Sequence, residues 1–498
     1  MTTGPSGAGA VSGSPPADVG SRSGMAKLRI LVIAAGIAWS VLFVVAGLRF
    51  GLQLYADGSL FSYAVAAQDA WAFHWHNISC RLFVYLFSLW PAETYVGLTG
   101  DARGGIDLYG VLFYAGQLLG LAATFAADRS KGRIIFAYAC LSTACLCPLV
   151  FGFPTEMWMA HAVFWPALAV CHYARPGIGG MIAVFAALLA LVFTHEGALV
   201  FAAAIVSTLL LRGLRDAALL RAAGAFVVAM AIWALVKLVL PPDDYFASII
   251  QNAALNFIEV ANITSGMFLL LLVALGSYGI AILVFRRLVP AQAHICAAAL
   301  VAVALAAYWL WFDQALHTAN RYGLRTALLI GTPAFGALAA AYALSADGRL
   351  NLPVPLQTRL LGALATDRVA QAACGAVLLV MLLHAVETAK FVTAWAEYKG
   401  AVRALAMGTA SDPALGDRRL VSSARIDGRL NRLAWSSTTH FLSVLLAPDF
   451  APARLVVDPG NNYIWLSCRM AVASEQAERA IPVESRRLVR VHACLHRR

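Results

Sequence analysis

Most of the titratable side chains in this chain sit at the rims of apolar runs, and four stretches hold those whose types could do chemistry. The first is Tyr55-Ala56-Asp57-Gly58, followed by Asp69, by His74-Trp75-His76-Asn77 and by Arg81. The second is Thr155-Glu156-Met157-Trp158-Met159-Ala160-His161, the third Thr194-His195-Glu196-Gly197, and the fourth runs from Asp313 through His317 and Asn320 to Arg321 and Arg325. A carboxylate such as Asp57 at a boundary between water and lipid suits general-base work, and it equally suits capping a helix that starts near Gly58. Glu156, after Pro154 and Thr155, has the same two readings, because an acid in a first turn favours the helix dipole. His161 lies five residues further on, about 7.5 Å deeper, on a face with Trp158 and Trp165. An ionisable group inside a span is a functional candidate unless it is a neutral histidine bonded to a neighbouring helix. His195 and Glu196 hold two titratable groups at a rim, where a tight helical hairpin would also want polar residues and Gly. Arg321 and Arg325, four apart, share a helix face. Their guanidinium forks match phosphate oxygens, the alternative being snorkelling toward lipid headgroups.

Other patterns carry less. His74 and His76 reach one metal only in extended structure and have no firm third ligand. Cys140, Cys145 and Cys147 fall inside an apolar run and read as buried thiols. Asp243-Asp244 after Pro241-Pro242 reads as an acidic loop cap, with metal binding as the other use. Neither a phosphate-binding loop nor a GxSxG or HExxH motif occurs, which argues against an ATP-driven pump and against standard hydrolases.

The elements that must position these groups are membrane spans. The 498 residues are 61% hydrophobic and 13% charged, with mean hydropathy +0.74, whereas soluble chains are about one quarter charged. An ordinary soluble enzyme is excluded. The net charge of +11 comes from short basic loops, and no basic run with interleaved aromatics points to nucleic acid. Residues 1–26, rich in Gly, Ser, Ala and Pro, are expected to be a disordered tail, so that the membrane domain starts at 28. A hydrocarbon core about 30 Å thick needs roughly 20 apolar residues per helix. On that measure eleven spans are expected, at 28–48, 105–126, 133–151, 155–173, 177–194, 197–212, 218–240, 265–285, 291–312, 323–345 and 369–389.

Orientation follows from Lys and Arg. One set of connections carries fifteen, from Arg22, Lys27 and Arg29 to Arg349, Arg359 and Arg368, and the alternate set carries five: Arg49, Arg81, Arg103, Arg321 and Arg325. The N-terminus, 1–27, is therefore expected in the cytoplasm. The long first loop, 49–104, and nearly every acid and His near a membrane surface then face outward. With eleven spans the C-terminus is outward too. Residues 391–498 turn polar and are expected to form a small α+β extracytoplasmic domain, with helical character at 394–407 and strands at 441–446, 454–457, 463–468 and 488–494. An oxidising compartment would permit a Cys468–Cys494 disulfide.

This arrangement resembles the GT-C superfamily of polytopic membrane glycosyltransferases, most of all its bacterial members. Tyr55-Ala56-Asp57-Gly58, Thr155-Glu156-Met157-Trp158-Met159-Ala160-His161 and Thr194-His195-Glu196-Gly197 carry the likeness, over residues 28–390. The resemblance implies an all-α GT-C-like membrane domain in the bacterial inner membrane. It also implies transfer of a sugar from a polyprenyl-phosphate donor to a lipid or envelope glycan, with inversion. Asp57 would match the base, and Arg321, with Arg81 or Arg325 behind it, the clamp on the donor phosphate. Glu156, His161, His195 and Glu196 would orient hydroxyls, with Asp69 and Asn77 in the same substrate-binding set. Asp57 is followed by Gly58 where a paired-acid metal motif would have a second acid, which leaves a divalent metal open. The rival class is a transporter or flippase of a polar or lipid-linked solute, which would string titratable groups along a path, Lys237 and Arg221 among them. An acyltransferase would need a His and an acid facing a cytoplasmic acyl donor, and the sequence offers none.

Overall fold

A computed structural model describes residues 19–68, 70, 81–239, 265–312, 321–357, 366–408, 420–435 and 438–457. The protein is predominantly helical. Its first helix, α1 (Val19–Phe50), leads through a short turn to α2 (Asp57–Ala67), and the first loop closes with α3 (Trp90–Thr99). The bundle continues with α4 (Ala102–Ala127), α5 (Ile134–Val150), α6 (Glu156–Tyr173), α7 (Ile178–Val192), α8 (Ala198–Leu209) and α9 (Ala217–Val239). After it come α10 (Gly266–Leu288), α11 (Ala293–Trp311), α12 (Arg321–Ala346) and α13 (Asp367–Ala406). A short helix, α14 (Thr439–Leu446), and a parallel pair of strands, β1 (Leu420–Ser422) and β2 (Leu455–Val457), complete the described chain.

Helices occupy all eleven expected ranges. Among the described residues seven stretches are long and apolar enough to cross a membrane: Gly24–Phe50, Ala102–Ala127, Ala217–Val239, Gly266–Leu288, Ala293–Trp311, Gly323–Ala346 and Asp367–Ala406. Their exposed faces are aliphatic, with Val227, Leu238, Leu272, Leu283 and Val303 turned outward. An apolar surface that extensive belongs in lipid. The chain is a multi-pass membrane protein.

The helices α5 to α8 are shorter, and of these α6 is the most enclosed. Almost every residue of α6 is buried, on all faces, the mark of a helix enclosed by protein. Its Trp158 packs edge-on against Phe43 of α1, with ring centroids 4.7 Å apart, and α5 lies between α1 and α12. Lipid tails are as apolar as leucine, so close approach rather than water exclusion holds such helices together. Small residues permit it: a Cβ at Gly120 of α4 would lie 2.5 Å from the Ala162 carbonyl oxygen of α6.

Three expectations are corrected. Helix α1 begins at Val19, inside the stretch read as a disordered tail, because the last prolines are Pro15 and Pro16 and each further residue adds a hydrogen bond to an existing helix. The domain boundary expected at 390 falls within α13, whose 40 residues extend about 60 Å, twice a hydrocarbon core. Residues 441–446 form α14 rather than a strand. Phe441, Leu442, Val444 and Leu445 are all buried, a run too short for its period to be read unambiguously. The strand expected at 454–457 is present as β2, while 463–468, 488–494, Cys468 and Cys494 lie outside the described residues.

Gly120→Val is expected to destabilise the purified protein by about 1–3 kcal/mol through the contact with Ala162. A melting curve in detergent checks this, and a Tm equal to wild type would refute the close approach of α4 and α6.

Candidate functional site

At one end of the bundle, charged groups from six separate stretches meet. The chain leaves α1 through Gly51, with φ +62°, a conformation glycine adopts freely. Tyr55 then anchors the turn among Phe153, Phe391 and Trp395, with ring centroids 6.0, 5.2 and 5.1 Å away. Ala56 is strained, at φ 50° and ψ −126°. Its carbonyl accepts from Thr438 Oγ1 at 2.8 Å and Ser59 Oγ at 2.8 Å. Asp57 follows as the first residue of α2, and its Oδ1 accepts from Trp435 Nε1 at 2.8 Å. The carboxylate thus takes a partner from the C-terminal segment, and the cap position of α2 belongs to Ala56, which has no side-chain cap bond.

Gly58 explains the missing second acid. A Cβ there would lie 2.6 Å from Pro154 Cγ and would also strike the Gln53 carbonyl oxygen. Position 58 admits no side chain.

Thr155 caps α6, its hydroxyl accepting from Met157 N at 3.4 Å, which sets Glu156 in the first turn. Arg81 donates through Nη1 to Glu156 Oε1 at 2.8 Å and through Nε and Nη2 to Glu196 Oε2 at 3.0 and 2.9 Å. Its segment is tied to the end of α7 by Phe83 N donating to Phe193 O at 3.0 Å. Lys237, in the last turn of α9, lies 3.9 Å from Glu196 Oε1. The side chains of Arg81, Glu156 and Glu196 are only 14%, 4% and 23% exposed, so the ion pairs are largely removed from water.

The titration of these groups follows from that burial. Burial raises the Asp57 carboxyl, the nearby Glu156 raises it further, and Arg325, the Trp435 hydrogen bond and Arg81 pull it back, leaving it at about 6. Burial would also raise Glu196, but Arg81 first, with Lys237 in support, brings it down to about 2. For Arg81 the downward push of burial is outweighed by Glu156 and Glu196, which hold its pKa above the ordinary value. His195 is held well below its ordinary value by burial and by Arg81 and Arg325. Its Nδ1 accepts from Gly197 N at 2.8 Å, so the neutral ring carries its proton on Nε2.

The structure therefore brings together Asp57, Arg81, Glu156, His195 and Glu196, with Arg325 close enough to act on Asp57 and His195. Two expected residues stand apart. Arg321 is fully buried, donating through Nη1 to Pro148 O at 2.9 Å and to Phe151 O at 2.5 Å, with Phe391 3.9 Å beneath it. It caps the C-terminal end of α5, whose last carbonyls have no partner in the helix, and its Nε and Nη2 are buried without a hydrogen-bond partner among the described residues. His161 is bonded within the bundle, to Ser142 Oγ at 2.9 Å, Gln117 Oε1 at 3.0 Å and Trp165 Nε1 at 3.3 Å, so it is bonded to neighbouring helices. Asp69, Asn77, His74, His76, Asp243, Asp244, Asp313, His317 and Asn320 lie outside the described residues.

Sequence reasoning did not assign Trp435 or Lys237 to this site. A lysine in an otherwise apolar span was a usable signal; nothing local distinguishes Trp435. A divalent metal fits poorly here, because Arg81 fills the space between Glu156 and Glu196 and position 58 has no side chain. Among the described residues no group of three His, Cys, Asp or Glu is placed to hold one. No family model, curated protein or solved structure matches the chain.

Arg81→Gln removes the ion-pair partner of Glu156 and leaves Glu196 with Lys237 alone, and is expected to cost about 3–5 kcal/mol. Adding Glu156→Gln and Glu196→Gln in that background should restore most of the Tm. Failure of the triple variant to recover would show that the loss does not come from unpaired charge.

Proposed function

We propose that the protein is an inverting membrane glycosyltransferase that moves a sugar from a polyprenyl-phosphate donor to a lipid or envelope glycan. The observation that carries this reading is a half-buried carboxylate, Asp57, held at about 6 near Arg325 and Arg81 at one end of a helix bundle. Perturbed groups of this kind concentrate at catalytic sites. In the proposed step the acceptor oxygen bonds to the anomeric carbon while its proton passes to the Asp57 carboxylate. The bond from that carbon to the donor phosphate oxygen breaks, and the electron pair leaves with the lipid phosphate.

The departing phosphate gains charge that a preorganised cation stabilises. Arg325 and Lys237, at the same end of the bundle as Asp57, suit this role. Lys237 points at Glu196, yet its neighbours Leu235, Leu238 and Val239 are exposed. An isoprenoid tail could lie along that face with its phosphate at the lysine. Trp435 offers a ring for a sugar, and His195, neutral with a proton on Nε2, a hydrogen bond to a hydroxyl. The asymmetry in Lys and Arg supports eleven spans, a cytoplasmic N-terminus and a site on the outer face of a bacterial inner membrane. The rival transporter reading has the polar groups around His161 in its favour, but those groups are satisfied by one another.

Purified protein incubated with polyprenyl-phosphate sugars and membrane extract should release free polyprenyl phosphate. Asp57→Asn should abolish release, by about 10²-fold or more. It should melt no lower than wild type at pH 7–8, because the native fold disfavours the ionised carboxylate that Asn removes. Uptake into vesicles without bond cleavage would support the transporter instead.

The base must be ionised, so activity should rise with pH through a limb centred at about 6. The Trp435 hydrogen bond lowers that value, so Trp435→Phe should shift the limb upward. A limb near 4, or one unmoved by Trp435→Phe, would rule out Asp57 as the base.

A further inference from the structure

The geometry points to a bound anionic phospholipid at the end of the bundle opposite the carboxylate site. A pocket of about 610 Å³ there is lined by Arg129, Lys131, Arg175, Arg212, Arg221 and Arg349, with Asp347 the one acid among its described lining residues. These cations come from four connections: the turns after α4, α6 and α12, and the link from α8 into the start of α9. A bias of Lys and Arg toward one side of a membrane accounts for their number. It does not account for their convergence on one concavity.

Asp347 is already engaged. Its Oδ1 accepts from Lys131 N at 2.9 Å and its Oδ2 from Tyr173 Oη at 2.6 Å. Arg212 faces Asp216 at 3.1 Å and donates to His172 O at 2.7 Å. Arg221 donates to Arg175 O and Ala217 O, both at 3.2 Å, contacts that orient its guanidinium without neutralising it. Among the described residues no ion pair engages Arg129, Lys131, Arg175 or Arg349. Six cations thus face Asp347 and Asp216, with Asp128 near Tyr173 as a third acid, a self-repelling surplus that a phosphate oxygen array would relieve through guanidinium forks.

A second cavity identifies the rest of the ligand. Arg221 also borders an apolar groove of about 440 Å³ between α7 and α9, lined by Met181, Ile182, Phe185, Leu220 and Val228. A charged pocket opening at a shared arginine into an apolar groove has the form of a headgroup joined to an acyl chain. The depth agrees. Helix α6 connects the two ends with 18 residues, about 27 Å of rise, close to the roughly 30 Å hydrocarbon thickness that separates headgroup layers.

Native mass spectrometry of the full-length protein, titrated with palmitoyl-oleoyl phosphatidylglycerol, should show one tight adduct, with the matched phosphatidylcholine binding about tenfold more weakly or worse. Arg175→Ala/Arg349→Ala, at exposed positions without ion pairs, should weaken the adduct about tenfold or more. Gly224→Phe, which projects into open space in the groove, should weaken it too, while Arg215→Ala/Arg287→Ala, the same charge loss off the pocket, should leave it unchanged. Equal binding of the two lipids, or equal loss in the off-pocket variant, overturns the proposal. A parallel titration with inorganic pyrophosphate separates the sources. Pyrophosphate binding that Arg175→Ala/Arg349→Ala weakens, together with lipid binding that Gly224→Phe leaves intact, would mean a soluble phosphate ligand and refute the lipid.

Discussion

One guanidinium joined to carboxylates on two different elements constrains everything at the carboxylate end of the bundle. Arg81 holds Glu156, in the first turn of α6, and Glu196, in the turn between α7 and α8. Taking such charges out of water costs several kcal/mol per ion, and the attraction between them compensates only when the geometry is good and the group is close to neutral. Here three acids, Asp57, Glu156 and Glu196, face three cations, Arg81, Arg325 and Lys237. The matching is uneven. Glu196 receives two direct bonds and Glu156 one, whereas Asp57 takes its direct bond from a neutral indole and is repelled by Glu156. The group with the weakest compensation is the one whose proton is held near neutrality.

The two ends of the bundle divide the electrostatic work. At one end the cations are paired with acids and enclosed. At the other they outnumber acids and line an open pocket. The same helices bear both: α6 starts at Glu156 and ends beside Arg175, and α9 starts beside Arg221 and ends at Lys237. Interior helices such as α6 can carry polar residues at their tips because protein rather than lipid surrounds them. The peripheral α10 and α11 present aliphatic faces outward.

Length and hydropathy made the helices legible, since a spanning helix must be apolar over a fixed number of residues wherever it packs. The types of the site residues were legible as well, because Asp57, Glu156, His195 and Glu196 are titratable groups bordering apolar runs. Which cation serves which partner was not. Arg321 and Arg325 are four residues apart and look equivalent on a helical face, yet Arg321 turns to the carbonyls at the end of α5. That need arises from where α5 ends against α12, a tertiary fact with no trace in the spacing of the two arginines. The segment 441–446 was illegible for a different reason. Fewer than two helical turns, buried on most sides, carry no period that separates helix from strand.

The described residues of the C-terminal segment reach the site. Trp435 bonds Asp57, Thr438 holds the carbonyl of the strained Ala56, and Phe441 of α14 packs on Tyr63 of α2, with ring centroids 4.8 Å apart. A backbone conformation that costs of order 1–3 kcal/mol persists only where its surroundings determine it, and at Ala56 those surroundings are supplied from almost 400 residues further along the chain. The position of the carboxylate is therefore coupled to the seating of a segment that follows every span. Any movement of that segment would reposition Asp57 and remove the Trp435 hydrogen bond that favours its ionised form. Geometry and protonation would then change together.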